Sequence, residues 1–290
     1  MSTTVSTTPW QPSARQLERE RYRRNRTVRS ALIALVSTAV VLAVVALAVG
    51  SSSGWPRMRD SFFDLGAGFG DLPALLRALW VNVQIMVIAE VCVLVLGALL
   101  AIVRTLQGPV FFPLRFLATA YVDVFRGLPL LIVLYCVGFG LPALRIRQFP
   151  DSPFVLCIIA LVLTYSAYVA EVFRAGIESV HPSQRAAARS LGLTTAQTMR
   201  HVVFPQAVRR VLPPLLNDFV SLQKDTSLVS VLAVSEMVLV AQGQVSQDYK
   251  FVHYLMAGLV FVLLAVPLTR LTDWIARRQG WVGSAATAIR

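Results

Sequence analysis

The sequence predicts an all-α integral membrane protein with six transmembrane helices. Composition, the spacing of long apolar runs and the placement of arginine between those runs lead there. Of 290 residues, 56% are hydrophobic and only 14% charged, and the mean hydropathy of +0.65 lies outside the range of ordinary soluble domains. A net charge of +12 accompanies this apolarity and comes almost wholly from arginine, lysine occurring only at Lys224 and Lys250. A solvated face for nucleic acid is the other usual source of such basicity, but it does not account for the apolar runs.

Six segments approach the ~20 apolar residues that a spanning helix requires. The first, Ala31 to Gly50, is an uncharged Ala/Val/Leu run behind 30 polar residues, too long for a signal-peptide core and therefore an uncleaved anchor. The loop 51–78 follows, with Gly66, Gly68 and Gly70 spaced like part of a nucleotide fingerprint but with no strand before them, so it reads as a loop. Leu79 to Val103, Phe116 to Leu141 and Pro153 to Phe173 are the second to fourth spans. The third carries Gly127 and Pro129, where a helix bends. The fifth, Val211 to Gln242, would be about 48 Å long if helical throughout, against a hydrocarbon core of about 30 Å. It must break, with part of it leaving the membrane or packing inside protein. Phe251 to Leu271 is the sixth. Cys92, Cys136 and Cys157 each lie within an apolar run, and this odd, buried set reads as core rather than as a disulfide framework.

Cytoplasmic loops carry the excess of arginine and lysine. With the N-terminus inside, the inner connections hold 19 of the 27 basic residues and the outer ones 6, Arg126 and Lys224 lying within spans. Both termini are thus expected in the cytoplasm, with tails at 1–30 and 275–290.

The inner connection from Arg174 to Phe204 is too polar to span a membrane. Gln184 to Leu191 is rich in alanine and arginine, Gly192 is a natural stop, and Thr194 or Thr195 can cap a second short helix. Two short helices joined at a glycine are expected, with apolar side chains toward a partner. A basic loop lying against acidic lipid headgroups has the same charge pattern.

This stretch resembles the signature loop of ABC-importer permeases: Glu-Ala-Ala, three residues, Gly, nine residues, an aliphatic residue, any residue, Leu-Pro. Ala187, Ala188, Gly192, Val202, Phe204 and Pro205 occupy the matching places, while Ala186 stands where the motif has glutamate and Phe204 where it has leucine. The flanking EVFRAGIESVHPSQ, PQAVRRVLPPLLNDF and LQKDTSLVSVLAVSE, and YVDVFRGLPLLIVLY at 121–135, resemble the polar amino acid branch (histidine, glutamine, glutamate or arginine type). The resemblance covers 79–274 and implies a five-helix type I permease core, with the first helix an addition.

The resemblance further implies a bacterial plasma-membrane subunit moving a polar amino acid into the cytoplasm by alternating access. Gln184, Ala186, Ala187, Ala188, Leu191, Gly192, Val202 and Pro205 would then form the loop that docks on a separate ATPase, present in two copies. A second permease, the same chain or a paralogue, and an extracytoplasmic binding protein complete the assembly. ATP and Mg would belong to the ATPase. No cofactor, metal or catalytic group is assigned to this chain, because a phosphate loop needs Gly-Lys-Ser/Thr, whereas Lys224 follows Gln223 and Lys250 follows Tyr249.

Ionisable groups inside spans are costly unless they face a cavity or a partner. Asp123 and Arg126 are three apart on a helix and can meet, either as an internal ion pair or as a gate. Asn217, Asp218, Ser221, Lys224 and Asp225 fall within about 120° of helical arc, forming either a wall of the translocation path or a dimer contact. Glu90 and Glu236 receive no role. A membrane-embedded enzyme would need a nucleophile and base or metal ligands within the spans, yet His181 and His201 lie in the inner loop and His253 at an outer edge. An ion-coupled secondary transporter is the alternative that could use the same carboxylates.

Overall fold

The computed structural model describes residues 13–106, 108–146 and 150–278, and every regular element among them is helical. Positions 1–12 of the N-terminal tail, Arg147 and the tail from 279 onward lie outside the described residues. The chain divides into a unit ending at Asp60 and a second unit from Ser61. The first unit holds α1, Ala14–Gly50, which Ser13 starts through a capping box with Gln16. The arginine-rich stretch and the apolar anchor are therefore one uninterrupted helix, with a candidate span at Asn25–Gly50.

The second unit opens within α2, Trp55–Phe62, and continues through α3, Leu65–Gly70, to α4, Leu72–Thr105. The loop predicted at 51–78 is thus largely helical, and α4 starts seven residues before the expected Leu79, with Pro73, preorganised for a helix, in its first turn. Buried Leu75, Ala78, Asn82, Ile85, Ala89 and Val93 recur every three or four residues along α4. Trp80, Val87, Val91 and Val95, on its other side, are exposed. Such a surface is tolerated in lipid or against another subunit, and in water it would aggregate.

The third predicted span is two helices, α5, Phe112–Gly127, and α6, Leu130–Ala143, which bend by 109°. Pro129 disfavours helical backbone at the residue before it, and Leu128 accordingly adopts an extended conformation. The long helix α7, Pro153–Glu178, lies at the centre, packed on α4, α5 and α6. Leu156, Cys157, Leu161, Leu134, Ile85 and Leu222 form the main core. At Gly97 a Cβ would come within 2.7 Å of Val169 Cγ1, so α4 and α7 approach as closely as they do only because a glycine stands there.

After the inner connection, α10, Phe204–Asp225, gives way to a 3-10 segment, Thr226–Leu232, and then α11, Met237–Asp248, at a bend of 51°. This is the break that the excess length demanded. The last helix, α12, Val252–Arg278, packs on α10 and α11. Among the described residues, four helices are long and apolar enough to cross a membrane unbroken, and up to six spans result if each bent pair counts as one.

Candidate functional site

A cleft of about 300 Å³ opens between α7, α10 and the extended turn joining α5 to α6. Thr164, Tyr165 and Tyr168 of α7 line one side, Asp218, Ser221 and Asp225 of α10 another, and Leu128–Leu130 the third. The local sequence explains each wall. Spacings of three and four residues put Asp218, Ser221 and Asp225 on one face of α10. The proline that breaks α5 from α6 leaves non-helical backbone against the cavity, where such backbone is tolerated at membrane depth.

The Tyr165 hydroxyl donates to Asp225 Oδ2 at 2.7 Å. Asp218 Oδ2 and Thr164 Oγ1 are buried, and neither has a hydrogen-bond partner among the described residues. The Tyr168 hydroxyl donates to the Arg126 carbonyl at 3.1 Å, and the Arg126 guanidinium stands 5.8 Å from the centroid of the Tyr168 ring.

Of the predicted polar stripe, only part reaches this cleft. At 100° per residue, Ser221, Asp225 and Asp218 occupy about 60° of the arc, with Asn217 and Lys224 on its other flank. Both of the latter are exposed and line nothing here. Lys224 stands in the last turn of α10, where a cation complements the helix dipole.

The expected pairing of Asp123 with Arg126 is not formed. Asp123 is exposed, while Arg126 Nη1 lies 3.8 Å from Glu171 Oε2 on α7. Glu171 also accepts from Arg104 at 2.8 Å and pairs with Arg174, which binds Glu178 one turn on. A helix turn offers Arg126 the neighbour three residues back, but α5 packs directly on α7, which presents Glu171 instead. Glu171 was not singled out in the sequence, although its spacing of three from Arg174 and seven from Glu178 is the signal of a helical charge ladder. Thr164, Tyr165 and Tyr168 were missed as well, their trace being a polar cluster in an otherwise apolar run.

The inner connection is the second feature. Helix α8, Pro182–Ser190, ends in a Schellman motif: Leu193 N–H donates to the Ala188 carbonyl and Gly192 N–H to that of Arg189. Gly192 has φ of +81°, the left-handed conformation this motif needs, and no atom lies where its Cβ would be. The constraint there is purely conformational. Thr194 starts α9, Thr195–Thr198, by a capping box with Gln197. A π-helical turn, Met199–Val203, then runs directly into α10, with Pro205 in its first turn.

Several of the loop residues have different surroundings from those expected of contacts. Ala188 is 4% exposed, its small side chain packed inside this chain rather than offered outward. Val202 is half-buried, and the Gln184 side chain pairs with Gln206 of α10. Ala186, Ala187, Leu191, Met199 and Phe204 are exposed, Leu191 most of all at 83%. Arg185 donates to the Ile177 carbonyl at 2.6 Å, so with the Gln184–Gln206 pair α8 is fastened to both α7 and α10, and Arg210 of α10 donates to the Ser179 carbonyl at the end of α7.

The third feature is a buried polar knot. Asn82 Nδ2 donates to Glu236 Oε2 at 3.0 Å and to Thr226 Oγ1 at 3.2 Å, and its Oδ1 accepts from Met237 N–H. Glu236, fully buried, caps α11 by accepting from Val238 and Leu239 N–H. It secures the break in the fifth span, a role the sequence left blank.

The family of binding-protein-dependent transport system inner membrane components matches residues 93–281. The chain belongs to that family. The permease is 36% identical over 213 residues to a probable amino-acid ABC transporter permease of Vibrio harveyi, covering 73% of this chain and 94% of the relative. It is 31% identical to an arginine transport system permease of Bacillus subtilis (74% of this chain, 96% of the relative) and 37% identical to a probable glutamine ABC transporter permease of the same organism (63% and 83%). Among solved structures, an amino acid ABC transporter crystallised with histidines superposes with a TM-score of 0.66 at 31% identity, over 71% of this permease and 94% of that chain. A methionine ABC transporter, at 18% identity and a TM-score of 0.59, shares the fold. The permease is therefore a multi-pass membrane protein of the ABC importer class, and the comparisons give the ion-coupled alternative no support.

Proposed function

We propose that this chain is the membrane-spanning subunit of an importer that carries a polar amino acid into the cytoplasm, its substrate passing through the cleft between α7 and α10. The observation that carries the reading is the cleft itself: carboxylates, a hydroxyl and tyrosines converge on a cavity beside a broken helix, within segments otherwise apolar enough to span a membrane. Ionisable groups are kept at such depth where a pathway needs them, and broken helices border the binding sites of many transporters. The amino acid class is supported by the printed functions of the relatives.

The energy comes from a separate ATPase in two copies, which holds the ATP and Mg, and it docks against the segment from Pro182 to Phe204. Leu191, Met199 and Phe204 give that segment an exposed apolar surface on a frame braced to α7 and α10. A second permease, identical or paralogous, and an extracytoplasmic binding protein complete the complex. Both termini face the cytoplasm, as the 19-to-6 split of basic residues indicates. Uptake into vesicles reconstituted with the ATPase and binding protein tests this: accumulation should require ATP, and gradient-driven accumulation without ATP would refute it. Ser13→Cys should resist impermeant thiol reagents applied from outside intact cells.

A further inference from the structure

We propose that His253, held between Asp71 and Asp248, is a proton-dependent latch that ties together the ends of α4, α11 and α12 and loosens as the medium outside the cell turns alkaline. The inference goes beyond the transport reading and takes from it only which end of the molecule faces outward.

His253 stands in the first turn of α12 and is 2% exposed, although its ring carries a polar atom on each edge. Nε2 donates to Asp248 Oδ2 at 3.0 Å, at the C-terminal end of α11. Nδ1 stands 2.9 Å from Asp71 Oδ2, a close contact off the line of a hydrogen bond. Asp71 occupies the N-cap position of α4, yet its side chain caps nothing there. The carboxylate that an N-cap aspartate ordinarily turns to its own helix is turned to the imidazole instead. One ring thereby joins the ends of three helices.

This arrangement calls for a charged ring. A neutral imidazole has one N–H donor and one lone pair, whereas the imidazolium donates from both nitrogens. With Nε2 donating to Asp248, a neutral ring would aim the Nδ1 lone pair at a carboxylate oxygen 2.9 Å away, and Nδ1 is itself buried. The imidazolium replaces that repulsion with an attraction on each side. The surrounding charges agree. Asp71 from α4 and Asp248 from α11 face the ring, while Asp248 Oδ1 accepts from the Lys250 N–H and the Lys250 ammonium is held by Asp64 at the start of α3. Among the described residues, no other charged group lies within ion-pair distance of His253. The side chains of Asp71 and Asp248 are 26% and 35% exposed, which gives protons a route to the medium.

The place of the latch decides which medium that is. Helix α4 runs from its N-cap Asp71 to the end where Arg104 meets Glu171 of α7, and α7 leads into the docking segment. The latch lies at the other end of α4, away from the ATPase and toward the outside. Ser61 donates to the Tyr249 carbonyl and accepts from the Phe251 N–H, and Phe62 stacks on Phe251 at 5.2 Å. A loosened turn before α12 therefore also frees the segment that leads into α3. Because the closed latch holds a proton that the open one releases, acid secures it and rising pH favours opening.

Hydrogen exchange of the permease purified with its ATPase tests this, read on the peptide from Asp248 to Met256 and corrected at each pH for the intrinsic exchange rate. Between about pH 5 and 8, where histidine changes charge, the opening equilibrium of the wild type should rise with pH, by up to about tenfold per unit for the one proton released. His253→Gln should open more readily than the wild type at the acid end, approach it at the alkaline end, and show no such slope. Asp71→Asn supplies an amide that can donate to a neutral Nδ1, so it should keep the turn protected with a much weaker dependence on pH. Since Asp71 caps nothing, this variant leaves the start of α4 intact. A wild type without the slope would overturn the proposal, as would a loss of protection in His253→Gln that is the same at every pH, which marks a merely structural histidine. If His253→Gln does not assemble, the wild type and Asp71→Asn decide between them, and equal slopes would sink the latch. ATP-driven uptake by the wild type is measured alongside: its absence would remove the importer reading and leave the exchange slopes to judge the latch.

Discussion

Glu171 on α7 accepts a hydrogen bond from Arg104 at the end of α4, at 2.8 Å, with both side chains largely buried. Arg126 of α5 stands 3.8 Å from the same carboxylate and is 41% exposed. Arg174 also pairs with Glu171, so one carboxylate holds Arg104 and Arg174 closely and Arg126 loosely, at the end of α5 that borders the cleft.

Arg104 and Arg126 should behave differently when replaced. Arg104→Met removes the short bond to Glu171 Oε2, leaving Arg174 on Oε1, and should cost about 1.5–3 kcal/mol, the range for hydrogen bonds to charged groups. Arg126→Met, at a longer and more exposed contact, should cost under about 1 kcal/mol. Melting of the purified complex measures both. Equal losses would show that the 3.8 Å contact is as strong as the short one.

Gly192 and Ala188 constrain the docking segment in different ways. Gly192→Ala puts a Cβ on left-handed backbone, at about 1–2 kcal/mol, with nothing to clash against. It should weaken recovery of the ATPase with the permease modestly, and Gly192→Pro, which cannot adopt that φ, should abolish it. Ala188→Leu overfills a buried site, costing about 1–3 kcal/mol, and should displace α8 from α9 and the π-helical turn it packs against. ATPase recovery unchanged in both Gly192→Pro and Ala188→Leu would favour a lipid-contact role for the segment.

The Asn82–Glu236 bond spans α4 and the cap of α11. Asn82→Ala removes the donor and leaves a buried carboxylate oxygen underserved, at a cost of about 1–3 kcal/mol or more. Glu236→Ala also strips the cap, which by itself is worth about 1 kcal/mol. The double variant should be less destabilised than the sum of the two, because both remove one network. Additive losses of melting temperature would mean that the two residues act independently.

Lys250 and Asp64 meet at 2.7 Å between the start of α3 and the turn before α12. The hydrogen bond from Lys250 holds the Asp64 carboxyl below its usual 3.8, and Asp64 raises Lys250 above its usual 10.5. The carboxylate's contribution is present above the usual aspartate value and fades as pH falls through the lowered one. The ammonium's contribution is present below its usual value and fades as pH rises through the raised one. The melting difference between wild type and Lys250→Met should thus be flat well above 3.8 and well below 10.5 and shrink as pH falls below 3.8. A difference that grows on acidification would contradict the pairing.

What the sequence determined by itself was governed by local chemistry along the chain, though it left the short helices of 51–78 unread. Apolar runs of spanning length, Pro129 as a break, an over-long fifth segment that had to bend, and the glycine stop at Gly192 are set by backbone sterics and by the cost of placing polar groups in hydrocarbon. They could be read before any packing was known. Tertiary structure alone decided the partners. Periodicity put five polar residues on one arc of α10, but whether a residue at the edge of that arc faces a cavity or the outside depends on where α7 lies, and this separated Asp218 and Asp225 from Lys224. The sequence offered Arg126 a neighbour three residues away, whereas the packing of α5 on α7 gave it Glu171, 45 positions later. Asn82 and Glu236 are 154 residues apart. Contacts of that separation are fixed by how whole helices pack, and no spacing within one helix encodes them.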